Sequence, residues 1–242
     1  MSKIYVVGIG PGEHEQMTIK ADSVLKDCDT IVGYTVYIDL VEKYYSDKEF
    51  LSTPMRKEVE RCEMAFTEAN KGKNVAMICS GDAGVYGMAG VIYELGEKYP
   101  NVEIEVVPGV TAALGGSAIL GAPLMHDFSI ISLSDILTPW EKIESRLRHA
   151  AMSDMVLCLY NPSSKKRHDY LKKACEIMME FKKEETICGI AKQIYRDGQE
   201  HEIMTLKELL AADVDMFTTV FVGNESTKNI DGKMITPRGY IF

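Results

Sequence analysis

The sequence predicts an α/β protein built as two domains, on three observations. Short β-branched runs recur along the chain, the intervals between them carry apolar residues at helical spacing, and several runs end in turns rich in glycine or proline. In the first half the runs are Ile4 to Val7, Thr30 to Val32, Val75 to Cys79 and Ile104 to Val107, read as strands. Between them Thr18 to Lys26, Glu58 to Lys71 and Tyr86 to Lys98 read as helices, giving four strands and three helices. After Pro108-Gly109, the small apolar segment Val110 to Leu120 predicts a closely packed helix at the join, so the expected domains are 1–113 and 114–242. The second half repeats the theme less regularly. Strands are expected near Ser129 to Leu133, Met155 to Leu159, Ile187 to Ala191, Glu202 to Thr205 and Thr219 to Val222, and helices near Pro139 to Ala151, Lys166 to Phe181 and Leu206 to Ala211. Thr138-Pro139-Trp140-Glu141 reads as a helix start with Thr138 as N-cap and Pro139 in the first helical position.

Composition narrows the function classes. The chain has 242 residues, 46% of them hydrophobic and 26% charged, which excludes disordered and collagenous classes. Lys and Arg number 27 against 36 Asp and Glu, a net charge of −9, and that field repels a phosphate backbone. No nucleic-acid partner is expected. No apolar run reaches the roughly 18 to 20 residues of a membrane span, and the start of the chain shows no cleavage pattern, so a cytoplasmic protein without a membrane partner is expected. Six cysteines lie scattered without metal-ligand spacing, and they read as reduced, buried small hydrophobes with no metal site.

Four strand-end loops hold the chemistry. Gly8-Ile9-Gly10-Pro11-Gly12-Glu13 follows a strand and precedes a helix, as a dinucleotide fingerprint does. It departs in detail: Glu13 stands where the third glycine belongs, and Pro11 removes an N–H that a pyrophosphate would need. A tight turn that lets another group approach the strand end remains. The second loop, from Ser80 to Gly90, has four glycines from position 81, each costing roughly 0.5 to 1 kcal/mol inside a helix, so it reads as ligand-facing. Asp82 there either caps the following helix or faces a substrate. In the third, Val107 to Ala113, Thr111 is placed to cap a helix or reach a ligand. The fourth, Leu159 to His168, ends in Lys165-Lys166-Arg167, three cations that a helix start disfavours and an anionic substrate favours. Between the halves, His126, Asp127, Ser132, Ser134 and Asp135 offer proton donors and acceptors.

Taken together, Val7 to Gly12, Gly33-Tyr34-Thr35-Val36-Tyr37-Ile38-Asp39, Ser80 to Met88 and Val107 to Ala113 resemble the tetrapyrrole methylases of corrin synthesis over essentially the whole chain. Ser132-Leu133-Ser134-Asp135 with Thr138-Pro139-Trp140, and Leu159 to Ser164, look like the branch that methylates C17 and contracts the ring, the precorrin-3B or cobalt-factor III C17-methyltransferases. The resemblance implies a homodimer of two α/β domains with a cofactor cleft between them, S-adenosylmethionine as cofactor with S-adenosylhomocysteine as its product, and a tetrapyrrole substrate. Carried over by motif, cofactor contacts are expected from Pro11, Gly81, Asp82, Val85, Tyr86, Thr111 and Ala112, and from Tyr160, Asn161, Ile190, Ala191, Thr219 and Val220. Many relatives have Gly-Asp-Pro where this chain has Gly81-Asp82-Ala83, so their detailed contacts are not copied here. No iron–sulfur cluster is expected, because the cysteines are not clustered.

S-adenosylmethionine carries no phosphate, so Pro11 and Glu13 do not disqualify the first loop for it. Methyl displacement at an activated sulfonium needs alignment at roughly 3 to 3.5 Å more than it needs acid or base. Ring contraction needs a positioned proton donor and acceptor, for which the candidates are His126, Asp127, Ser132, Ser134, Asp135 and Asp39. The many substrate carboxylates point to Arg56, Lys165, Lys166, Arg167 and Lys192. The competing readings are a related methyltransferase acting at another ring carbon, a more distant diphthine synthase, a nucleotide-dependent oxidoreductase, and a non-catalytic binding module.

Overall fold

In the computed structural model, which describes residues 2–164 and 168–241, the chain divides into two units, Met1–Ala112 and Ala113–Phe242. Five strands build the first: β1 (Lys3–Gly8), β2 (Thr30–Tyr34), β3 (Glu49–Thr53), β4 (Val75–Cys79) and β5 (Glu103–Val107). They lie in the order β3-β2-β4-β1-β5 with every neighbouring pair parallel. A parallel sheet needs cover on both faces, and alternation along the strands provides two apolar faces. Val7, Ile31 and Ile78 pack on α1 (Ile19–Asp27) and α2 (Thr35–Val41), whereas Ile4, Val6 and Met77 pack on α3 (Glu58–Asn70) and α4 (Ala89–Gly96). Because all strands run one way, their carboxyl ends share one edge, where ligands of open α/β sheets bind.

Two elements depart from expectation. The sheet has a fifth strand, β3, whose exposed Glu49 and Ser52 mask its pattern, and the segment after Tyr34 is a helix, α2. Helix α4 starts at Ala89 rather than Tyr86, so Gly81, Gly84 and Gly87 lie in the loop before it and only Gly90 sits within the first turn. Gly87 is required where it stands: a Cβ there would lie 2.4 Å from the Ala83 carbonyl oxygen.

The second unit is not a second parallel sheet. It contains α5 (Ala112–Leu120), which begins at the boundary, then β6 (Gly121–Ala122), β7 (Phe128–Ser132), α6 (Trp140–Met152), β8 (Val156–Tyr160), α7 (Tyr170–Met178) and β9 (Ile187–Lys192). There follow β10 (Glu200–Thr205), α8 (Leu206–Leu209), β11 (Thr218–Val222), β12 (Lys228–Ile230) and β13 (Lys233–Ile235). The main sheet runs β10-β9-β11-β8-β7, with only β7 and β8 parallel. One face carries a core of Leu157, Leu159, Ile190 and Val220 under α6, α7 and α8. On the other lies α5, whose small residues permit close approach: a Cβ on Gly116 would lie 2.8 Å from Phe221 Cζ. A small sheet, β12-β13-β6, closes the chain around an Asp231-Gly232 turn with φ of 49° and 73°.

Helix α6 corrects one cap. Pro139 is its N-cap residue and Trp140 its first helical residue, so Thr138 lies outside, one residue short of the expected role. All six cysteines are buried and free, and burial pushes the Cys79 and Cys158 thiols up to about 12, which makes them poor nucleophiles. Among the described residues no helix is long and apolar enough to cross a membrane.

Candidate active site

At the carboxyl edge of the first sheet, β4, β1 and β5 are neighbours, so the loops leaving them lie side by side. Main-chain bonds stitch two of them together. The Gly10 N–H donates to the Gly81 carbonyl at 3.1 Å and the Gly81 N–H donates back to Gly10 at 2.8 Å. Both glycines have positive φ, 77° and 69°, a conformation that costs a residue with a Cβ. The third loop comes closer still: a Cβ on Gly8 would stand 2.7 Å from the Gly109 nitrogen, and one on Gly109 would stand 2.2 Å from the Gly81 carbonyl oxygen.

Asp82 ties the cradle together. Its Oδ1 accepts the N–H groups of Gly84 (2.8 Å) and Val85 (3.1 Å), and its Oδ2 accepts that of Gly109 (2.9 Å). It therefore braces a turn and a neighbouring loop and does not cap α4, which starts seven residues later. Thr111, 8% exposed, and Ala112 continue this edge, since a Cβ on Gly81 would lie 3.5 Å from Thr111 Cα. Pro11 is buried beside Gly10. Tyr86 is exposed with φ of 56°, a left-handed conformation that costs an aromatic residue about 1 kcal/mol or more and marks functional loops.

Behind the first loop sits a polar cluster that the sequence reading did not pick out. Tyr45 donates its hydroxyl to Asp22 Oδ1 at 2.8 Å, His14 Nε2 approaches the same oxygen at 3.0 Å, and Lys26 donates to Oδ2 at 2.6 Å. Burial pushes the Asp22 carboxyl up, but these hydrogen bonds outweigh it and hold the group below its ordinary value of 3.8. A lowered folded-state pKa stabilises the protein above that ordinary value, and the contribution fades as pH falls through the folded one. Tyr45→Phe removes one of the bonds. Expected are a loss of about 1 kcal/mol at pH 7 and a smaller further fall in stability on acidification, because the folded Asp22 moves toward its ordinary value, both read from urea melts across pH.

In the second unit the expected donors and acceptors fall into two groups. Ser132 Oγ accepts from Asn161 Nδ2 (3.0 Å) and from the Ser134 N–H (3.2 Å), and Asp135 Oδ2 accepts from the Tyr170 hydroxyl at 2.7 Å. All cluster beyond the adjacent carboxyl ends of β7 and β8, with the Trp140 ring 4.5 Å from that of Tyr170. His126 and Asp127 stand apart from these: their side chains are 51% and 88% exposed and contact each other. Asp39, on α2, is exposed, as is Arg56, whose φ is 67°. Tyr160 accepts the Ala113 N–H on its hydroxyl at 2.6 Å, and Asn161 has φ of 54°.

The remaining candidates divide by strand face. Ile190 and Val220 point into the core under α6 to α8, whereas their neighbours Ala191 and Thr219 point to the opposite face. Lys192 lines a cavity of about 700 Å³ together with Glu200, Glu202, Glu208 and Asp213. That acidic lining suits a polycarboxylate poorly. Lys165, Lys166 and Arg167 lie outside the described residues. The sequence reading missed Tyr170 and Gly109, although Pro108-Gly109 at a strand end was a visible signal for the second.

The model of the tetrapyrrole (corrin/porphyrin) methylases matches residues 3–210. Over 236 residues the chain is 45% identical to a probable cobalt-factor III C(17)-methyltransferase of Salmonella typhimurium, covering 97% of this chain and 98% of that one. It is 44% identical over 243 residues to a cobalt-factor III methyltransferase of Priestia megaterium; the match takes in 98% of this chain and only 45% of the longer relative. Among solved structures, that of the methyltransferase CobJ superimposes with a TM-score of 0.91 at 34% identity, covering 98% of this chain and 100% of that one.

Proposed function

The chain belongs to the tetrapyrrole (corrin/porphyrin) methylases, and on that footing we propose that it transfers a methyl group from S-adenosylmethionine to C17 of cobalt-factor III or precorrin-3B and contracts the ring. The observation that carries this reading is the main-chain cradle of Gly10, Gly81 and Gly109 braced by Asp82. Its glycines and its aspartate bring no cation for a diphosphate, and it suits a donor without phosphate. S-adenosylmethionine supplies an activated methyl sulfonium. The protein's part is orientation: a cradle fixed by main-chain bonds holds its shape without reorganising, and the apolar Ala83 and Val85 beside it limit water.

Pro11, Gly81, Asp82, Val85, Tyr86, Thr111 and Ala112 are the proposed contacts in the first unit. Tyr160, Asn161, Ala191 and Thr219 are the better placed of those in the second, because the Ile190 and Val220 side chains belong to the core. For the proton movements of ring contraction Asp135 is the favoured base, oriented by the Tyr170 hydroxyl, while Ser132 is held by Asn161. We read the protein as a cytoplasmic homodimer, which light scattering and cell fractionation check.

Incubation with S-adenosylmethionine and cobalt-factor III tests the activity. One added methyl at C17, with the spectral change of contraction, is expected. Methylation at another ring carbon, or calorimetric affinity for NAD with none for S-adenosylhomocysteine, would overturn it.

A further inference from the structure

Three ionic side chains are buried among the described residues: Arg61, Glu68 and Lys182. Two have opposite charges beside them. Glu68 meets Lys71 at 2.6 Å and Lys73 at 2.7 Å, and Lys182 meets Asp154 at 2.8 Å. Arg61, 4% exposed, has no carboxylate within 4 Å among the described residues. Its Nε donates to Thr53 Oγ1 at 3.0 Å, its Nη2 to the Pro54 carbonyl at 3.1 Å, and its Nη1 to nothing better than the Met88 sulfur at 3.8 Å. The Tyr34 ring centre lies 5.8 Å from the guanidinium carbon.

A buried guanidinium without an anion is costly, and a protein of net charge −9 has carboxylates to spare for it. Its position gives the deficit a purpose. Tyr34 ends β2, Thr53 ends β3 and Met88 ends the glycine-rich loop, so Arg61 sits at the same carboxyl edge as the cradle. Directly after Thr53 the turn Pro54-Met55-Arg56 is exposed, and the Arg56 guanidinium also lacks a carboxylate partner among the described residues. An inner and an outer cation thus stand at one corner of the edge without anions.

Building on the methyltransferase reading, we infer that Arg61 binds a carboxylate of the substrate macrocycle, which takes the Nη1 position that the Met88 thioether fills. A neutral sulfur is the weakest of the three acceptors, and exchanging it for a carboxylate oxygen converts a poor contact into a charge-assisted pair. Arginine suits this role better than lysine because its fork keeps Thr53 and Pro54 engaged while the Nη1 N–H groups serve the carboxylate once the buried Met88 side chain moves aside.

Steady-state kinetics with cobalt-factor III tests the assignment. Arg61→Met should raise KM by about 10- to 100-fold, the worth of one charged hydrogen bond, with kcat and the calorimetric affinity for S-adenosylhomocysteine within about twofold. Arg61→Lys should fall between. A purely structural arginine would instead lower the melting temperature and donor affinity while leaving the KM of the folded variant unchanged, and that result overturns the proposal. Met88→Glu guards against failure to fold: an internal carboxylate at Nη1 should raise both the melting temperature and KM, and an unchanged KM sinks the inference. Should the wild type turn over neither cobalt-factor III nor precorrin-3B, the methyltransferase reading fails separately. Fluorescence titration with uroporphyrin, an octacarboxylate, then decides on Arg61, since equal affinity in wild type and Arg61→Met refutes it.

Discussion

Gly109→Ala should cost about 3 kcal/mol of stability and weaken S-adenosylhomocysteine binding by at least 100-fold. The added methyl would stand 2.2 Å from the Gly81 carbonyl oxygen and 2.6 Å from that of Gly8. Both obstacles are backbone, and neither has a rotamer into which to retreat. Gly81 is further tied to Gly10 by two hydrogen bonds, so yielding at one loop distorts the other. Thermal melts and calorimetry on the same sample read the two effects. Gly72→Ala is a control for ordinary glycine loss, because nothing lies within 4 Å of a Cβ there and only its φ of 91° opposes the change. Donor affinity equal to wild type in folded Gly109→Ala would disprove the role of the cradle.

Asp82→Ala should weaken donor binding by about two to three orders of magnitude while moving the melting temperature much less. Three N–H groups, from Gly84, Val85 and Gly109, lose a charged acceptor at once, each worth about 1.5 to 3 kcal/mol. Water satisfies part of that loss because the site is only half-buried, so the damage is to loop geometry more than to global stability. Asp82→Asn separates charge from shape. Its oxygen can serve either Gly84 and Val85 or Gly109, and its amide then points donor at donor toward the other loop. Binding should be nearly as weak as in Asp82→Ala. An asparagine variant that binds like wild type would show that acceptor charge and placement are irrelevant there.

How much of this was readable in the chain follows from burial. Three of the four predicted strands of the first half, β1, β2 and β4, are mostly buried, and Val75–Cys79 is recovered to the residue; the fourth, β5, shows through its apolar Ile104, Val106 and Val107. Strand β3 escaped because Glu49 and Ser52 are exposed and leave only Phe50-Leu51 as an apolar run, whereas β5 at the opposite edge keeps Ile104, Val106 and Val107. Helix α2 escaped because Thr35, Val36 and Ile38 are β-branched and read poorly as helix. The mixed direction of the second sheet leaves no local trace, since pairing partners are distant in sequence. The final hairpin did leave one: Asp231-Gly232 is a strong turn signal, overlooked because its strands are short and largely exposed.

The site was legible in part for the same kind of reason. Glycine spacing exposes loops where main chain must approach closely, so Gly81, Asp82 and Thr111 were found. Side-chain pairs such as Asp135 with Tyr170, or Arg61 with Met88, join residues 35 and 27 positions apart. No spacing rule announces them. His126 and Asp127 attracted notice as an acid–base pair, and the structure leaves both side chains largely exposed, away from the Ser132 and Asp135 cluster.

Since Gly8, Gly10, Gly81 and Gly109 have no side chains to truncate, an alanine scan designed to delete contacts would act there only by adding bulk. Losses at these four positions would register as steric damage and be discounted as misfolding. The more informative library steps the half-buried Val85 up in size, from serine to leucine and beyond, and asks at which size the methyl donor is shut out.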